Sequence, residues 1–123
     1  MGFFAKLLGK HEGHQPDLQL GVNADGLSEK LYEQGFEHYM QYKKDAGDGK
    51  QNQEALNHAI TYFKLAIYNN PSQGKAIALL GLSYALKGNM KLAIRFCRDA
   101  MDFHDQLGCH ASEIEEFMNK LQL

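Results

Sequence analysis

Apolar residues recur every three or four positions through five successive segments of this chain, each bounded by Gly, Asn, Asp, Ser or Pro, and that spacing leaves few folds open. The period gathers them on one face of an α-helix, since 3.6 residues complete a turn. The first segment opens at Ser28, whose hydroxyl suits an N-cap, and carries Leu31, Tyr32, Gly35, Phe36, Tyr39 and Met40 to about Lys44. Asp45 to Lys50 reads as a loop, after which Ala55, Leu56, Ala59, Ile60, Phe63, Ala66 and Ile67 make a second apolar face. Asn69-Asn70-Pro71-Ser72 ends that helix and starts another, with Ser72 as the expected N-cap and Ala76, Ile77, Leu80, Gly81, Tyr84 and Ala85 as the stripe. Gly88-Asn89 closes the third helix, and a fourth runs from about Met90 to Asp105 with Leu92, Ala93, Phe96, Cys97, Ala100 and Met101 on one side. Ser112 followed by Glu115 predicts a capping box for a last helix bearing Ile114, Phe117, Met118 and Leu121. Long alternating β-branched runs are missing and Pro stands only at 16 and 71, so the expected class is all-α.

Before these segments lies a stretch of different character. Gly9, Gly13, Pro16, Gly21, Asn23, Asp25 and Gly26 predict a linker from Gly9 to Gly26. Ahead of it, Phe3, Phe4, Leu7 and Leu8 beside Lys6 and Lys10 form a short amphipathic segment suited to docking on an apolar surface. The expected organisation is therefore a flexible arm over 1–26 and one helical domain over 27–123, a length that supports a single modest core. Apolar residues at 44% and charged residues at 23% fit a globular chain. A formal charge of -2 supplies no broad basic field, which argues against nucleic acid as a partner. No apolar run is long enough to span a membrane and no signal peptide is apparent, so a cytoplasmic location is expected, with contact to a membrane surface left open. Cys97 and Cys109 are too few for a disulfide framework.

Six histidines invite a search for chemistry. His11-Glu12-Gly13-His14 lacks the four-residue helical spacing of a zinc protease motif and falls among glycines. His104, Cys109 and His110 surround a helix-to-helix turn but have no fourth ligand nearby. No phosphate-binding glycine loop, nucleophile elbow or paired catalytic acids are recognisable. The expectation is a protein that is not an enzyme and needs no cofactor or metal; a metal-dependent enzyme is the weaker alternative.

The small residues also repeat. Ile77-x-x-Leu80-Gly81-x-x-Tyr84 followed by Ala93, Cys97 and Ala100, and Leu31-x-x-x-Gly35 followed by Ala59-x-x-x-Phe63-x-x-Ala66 and Pro71, share one register. This pattern resembles that of the tetratricopeptide repeat family, whose period is about 34 residues. The first unit departs from it by about twelve extra residues between Gly35 and Ala59, by His38 where Tyr is usual, and the second by Cys97 where an aromatic is usual. The longer spacing predicts an extended first hairpin, and Cys97 a looser joint against the last helix.

The resemblance implies antiparallel helix pairs stacked as a short right-handed superhelix, here two pairs plus a C-terminal capping helix. It also implies a protein-protein interaction module, an adaptor, scaffold or chaperone-like protein, whose concave groove is lined by the first helix of each pair. Carried over to this chain, the groove positions are Glu29, Tyr32, Phe36, Tyr39, Met40, Lys75, Ala78, Leu82 and Ala85. Aromatic and apolar residues stand where carboxylate-clamping members of the family have Lys and Asn. The implied partner is accordingly an amphipathic helix or an apolar peptide segment. The alternative is a membrane-surface scaffold tethered by the arm. Phe3, Phe4, Leu7 and Leu8 would dock on the domain's own groove, another protein, a second copy or a membrane surface.

Overall fold

A computed structural model describes residues 17–121, with side chains from Gly26 onward. The docking segment Phe3, Phe4, Leu7 and Leu8 lies outside the described residues. Among the described residues six helices pack on one another: α1 (Asp17–Gly47), α2 (Gln53–Asn69), α3 (Gly74–Lys87), α4 (Met90–Met101), α5 (His104–Leu107) and α6 (His110–Lys120). Among the described residues there is no strand, and the chain is all-α.

The first two helices run antiparallel along their length. Ser28 Oγ donates to the Ala66 carbonyl at 2.8 Å near one end, and Asn52 Nδ2 donates to Asp45 Oδ2 at 2.7 Å at the other. Between these points Gly35 lies so close to Phe63 that a Cβ there would stand 2.7 Å from the ring. The second pair repeats the arrangement. Gly81 of α3 abuts Cys97 and Ala93 of α4, and Ala59, Ala66, Ala93 and Ala100 are all fully buried at corresponding places. Both second helices also start alike: Asn52 Oδ1 accepts from Ala55 N–H, and Asn89 Oδ1 accepts from Leu92 N–H. Each such cap satisfies a donor that the first helical turn leaves unpaired. The short α3–α4 turn places Gly88 at φ 91°, a left-handed conformation that glycine adopts without steric cost.

Helix α3 is the hub. It touches α1, α2, α4, α5 and α6, and every residue from Ala76 to Tyr84 is buried. A helix enclosed on all sides must be apolar all round, which is why Ala78, Leu79 and Leu82 are buried along with the predicted stripe.

Several boundaries differ from expectation, each for a tertiary reason. Residues 17–26, expected as linker, are the first turns of α1. Gly21 and Gly26 each cost a helix about 1 kcal/mol relative to Ala, whereas only proline forbids it sterically, and α1 contains none. Ser28 is therefore no N-cap but a buried cross-link to α2. Ser72 does not cap α3 either; Gln106 of α5 does so from 32 positions away, its Oε1 accepting from Gly74 N–H at 2.9 Å while its Nε2 donates to the Ser72 carbonyl at 3.1 Å. That docking breaks the expected fourth helix at Asp102, separating α4 from α5, because Phe103 must turn inward to pack on Gly74. The last helix begins at His110 rather than at a Ser112 cap, and Glu115 reaches back to His104 at 3.6 Å instead of capping. Cys97 is fully buried and packs tightly on α3, where a Cβ on Gly81 would lie only 2.7 Å from its sulfur. The prediction of an extended first hairpin fits α1, which continues unbroken to Gly47.

Candidate functional site

The face assigned to partner binding is built mainly on α1. Tyr32, Phe36 and Tyr39 follow one another at helical spacing, and their rings form a row with centroids 6.0 and 6.2 Å apart. Phe63 of α2 supports the row from behind, with its centroid 6.0 Å from that of Tyr32 and 6.4 Å from that of Tyr39. On the open side the row meets α6. Tyr32 OH lies 3.0 Å from His110 Nε2, His110 Nδ1 lies 3.0 Å from Glu113 Oε1, and the imidazole sits 5.8 Å from the Phe36 ring. Lys43 reaches Glu113 at 3.9 Å and lies over the Tyr39 ring, and Lys75 of α3 lies over the Tyr32 ring. Glu29 joins α1 to α3 by an ion pair with Lys75 at 3.7 Å and by accepting from Gln73 Nε2 at 3.1 Å.

Tyr32, His110 and Glu113 stand in the order of a nucleophile, its base and an orienting carboxylate. The environment opposes that chemistry. Burial, followed by the neighbouring Glu29, pushes the Tyr32 phenol up to about 12, and burial followed by Glu113 raises that of Tyr39 as well. A nucleophile is activated by a lowered pKa, so Tyr32 stays protonated and donates. With Tyr32 donating to Nε2, the matching tautomer carries its proton on Nδ1, directed at Glu113. The row is thus a polar fastening between α1 and α6, in which each group satisfies the next.

The positions expected to line the groove divide into two sets. Tyr32, Tyr39, Ala78 and Leu82 are buried by the chain's own helices. Met40 is exposed at 47%, and Phe36, Lys75, Ala85 and Glu29 are half-buried. His110 and Glu113, the two α6 residues that face the row, were not among the expected site residues. Their signal was the i, i+3 spacing of an imidazole and a carboxylate on one helix face.

His11 and His14 lie outside the described residues, and the remaining histidines and cysteines do not converge. His104 pairs with Glu115, Cys109 is exposed at the α5–α6 turn, and His38 stacks on Tyr62 at 5.5 Å with His58 edge-on at 5.0 Å. Among the described residues no three His, Cys, Asp or Glu side chains stand close enough together to hold a metal ion. Burial pushes the Cys97 thiol up to about 12, which disfavours the reactive thiolate. No helix of the described residues is long and apolar enough to cross a membrane. In comparisons with known proteins, no family model matches the chain, and no curated protein or solved structure matches it significantly.

Proposed function

We propose that this chain is a non-catalytic protein-binding module, a short stack of two tetratricopeptide-like helix pairs closed by a C-terminal helix, that holds an amphipathic partner helix against the face of α1 and α3. The observation carrying this reading is that the face already accommodates one amphipathic helix. α6 lies on it through ring contact with Phe36, a hydrogen bond to Tyr32 and an ion pair to Lys43. A surface that seats one helix by these means offers a second helix the same chemistry: aromatic area for apolar side chains and cations for carboxylates. The repeated Gly81–Cys97 and Gly35–Phe63 approaches, at equivalent places in the two pairs, support the tetratricopeptide-like build.

A partner reaches Phe36, Met40, Lys75 and Ala85 directly, and reaches Tyr32 and Tyr39 by taking the place of α6. The test is to replace Phe36 and Met40 together by Ala and to measure capture of a binding protein identified with the parent chain. The expected result is an affinity weaker by about tenfold or more at unchanged helix content, which corresponds to about 1.4 kcal/mol of binding free energy. Undiminished affinity would remove this face from consideration.

A further inference from the structure

The formal charge of -2 conceals a strong segregation. From Ala55 to Arg98 the sequence contains no Asp or Glu but six cations, Lys64, Lys75, Lys87, Lys91, Arg95 and Arg98, so this stretch carries +6 against -8 for the rest. Among the described residues only Lys75 of the six meets a carboxylate, that of Glu29. The others are held by uncharged groups or by none. Lys64 lies 5.9 Å from the Tyr84 ring centroid, Tyr84 stacks on Phe96 at 5.9 Å, and Arg95 lies 5.8 Å from the Phe96 centroid, which joins α2, α3 and α4 in one cation–aromatic row. Lys87 donates to Asn57 Oδ1 across the α2–α3 junction. Lys91, Arg95 and Arg98 are exposed and follow the i, i+4, i+7 spacing of one α4 stripe. The acids closest in the chain are Glu54, one turn before Asn57 on α2, and Asp99 and Asp102 at the end of α4. Among the described residues none of the three pairs with these cations.

The same end of the α3–α4 hairpin exposes aliphatic surface. Leu86 and Met90 are 39% and 41% exposed and flank the Gly88 turn, with Lys87 and Lys91 beside them. We propose that the α3–α4 hairpin and the outer stripe of α4 form a docking surface for an anionic phospholipid bilayer. A bilayer of this kind offers both things the surface lacks, negative charge for unpaired cations and an apolar phase for Leu86 and Met90. Nucleic acid fits less well around the Gly88 turn, where Tyr84 is buried, Phe96 lies beneath Arg95, and the exposed large side chains are Leu86 and Met90 rather than open rings on which bases would stack. This docking is independent of the α1–α3 face.

The experiment is flotation of the full chain with phosphatidylcholine vesicles, with and without about one-third phosphatidylserine. The parent binds the anionic vesicles preferentially, and binding falls steeply as salt rises. Lys91→Glu with Arg98→Glu, two side chains that join no ion pair or cation–ring contact among the described residues, lowers vesicle binding at least tenfold. Leu86→Ser with Met90→Ser lowers the part that survives high salt. If charge reversal reduces helix content, Lys91→Gln with Arg98→Gln makes the same comparison with a smaller expected loss. Equal binding to neutral and anionic vesicles overturns the proposal. So does vesicle binding that vanishes on deletion of residues 1–10 yet is unchanged by the α4 substitutions. Binding of duplex DNA or polyglutamate without binding of vesicles overturns it too.

Discussion

At the scale of single residues, the contacts that matter most are those that leave no room. Gly81 is the sharpest case, since an added methyl would meet not only the Cys97 sulfur but also the Cys97 backbone nitrogen at 2.9 Å and the Ala93 carbonyl at 3.2 Å. Backbone atoms of a packed helix cannot swing aside. Gly81→Ala is expected to cost about 1–3 kcal/mol, read as a lower denaturation midpoint. At Gly35 the clash is with side chains only, the Phe63 ring at 2.7 and 2.8 Å and Tyr62 Cβ at 3.1 Å, so Gly35→Ala should cost less than Gly81→Ala. The reverse order would place the tighter crossing in the wrong pair. Ser83 makes the opposite prediction. Its hydroxyl is fully buried with no hydrogen-bond partner among the described residues, so Ser83→Ala should leave the melting temperature unchanged or raise it, because a desolvated orphan group is removed. Tyr32 and Cys97, together with Tyr39, which burial also raises, contribute to the alkaline limit. The ionisation of Tyr32 and Cys97 is pushed from ordinary values of 10.0 and 9.0 to about 12 in the fold, and a pKa raised by folding means stability that is whole below the ordinary value and lost as pH climbs toward the folded one. Thermal unfolding followed across pH should therefore show a decline between about 9 and 12 from these groups. In Tyr32→Phe the tyrosinate absorbance that develops well above the ordinary value of 10.0 should diminish, leaving the contribution of Tyr39, which burial also raises.

At the scale of elements, α5 and α6 show how short segments acquire structure from their neighbours. Four residues cannot sustain a helix alone, and α5 is held because Gln106 bridges Gly74 N–H and the Ser72 carbonyl. Gln106→Ala should free both groups at a cost of about 1 kcal/mol and speed amide exchange at Gly74. Gly108, at φ 57°, then lets the chain reverse into α6, and His110 fastens that helix to Tyr32 and Glu113. If a partner helix displaces α6, weakening the fastening should help it bind. His110→Ala is expected to tighten binding of a groove partner severalfold, measured by titration calorimetry. Weaker binding would instead make α6 part of the binding surface.

At the scale of the whole molecule, net charge is a poor guide to what the surface offers. A sum of -2 argues against a broad basic field, yet the stretch from Ala55 to Arg98, spanning most of α2 to α4, holds cations and no acid, while the acids stand before and after it. The protein therefore has one face made of rings and polar fastenings and another made of cations and exposed aliphatics. Two surfaces of such different chemistry suit two different contacts, one with a helix and one with an anionic layer.

Periodicity was legible in the sequence alone: apolar residues three and four apart mark the four long helices, and Gly-Ala spacing marks where they approach closely, Gly35 to Phe63 and Gly81 to Cys97. These are local or near-local properties, written in consecutive residues. Where helices start and end was settled by tertiary contacts: Gln106 caps α3 from far along the chain, and Ser28, inside α1, directs its hydroxyl to the Ala66 carbonyl of α2 instead of starting a helix. Tertiary packing also settled which groove residues remain open. The resemblance implied Tyr32, Tyr39, Ala78 and Leu82 as groove positions, but burial depends on what covers a face, and α3 is enclosed by five other helices while α6 lies over α1.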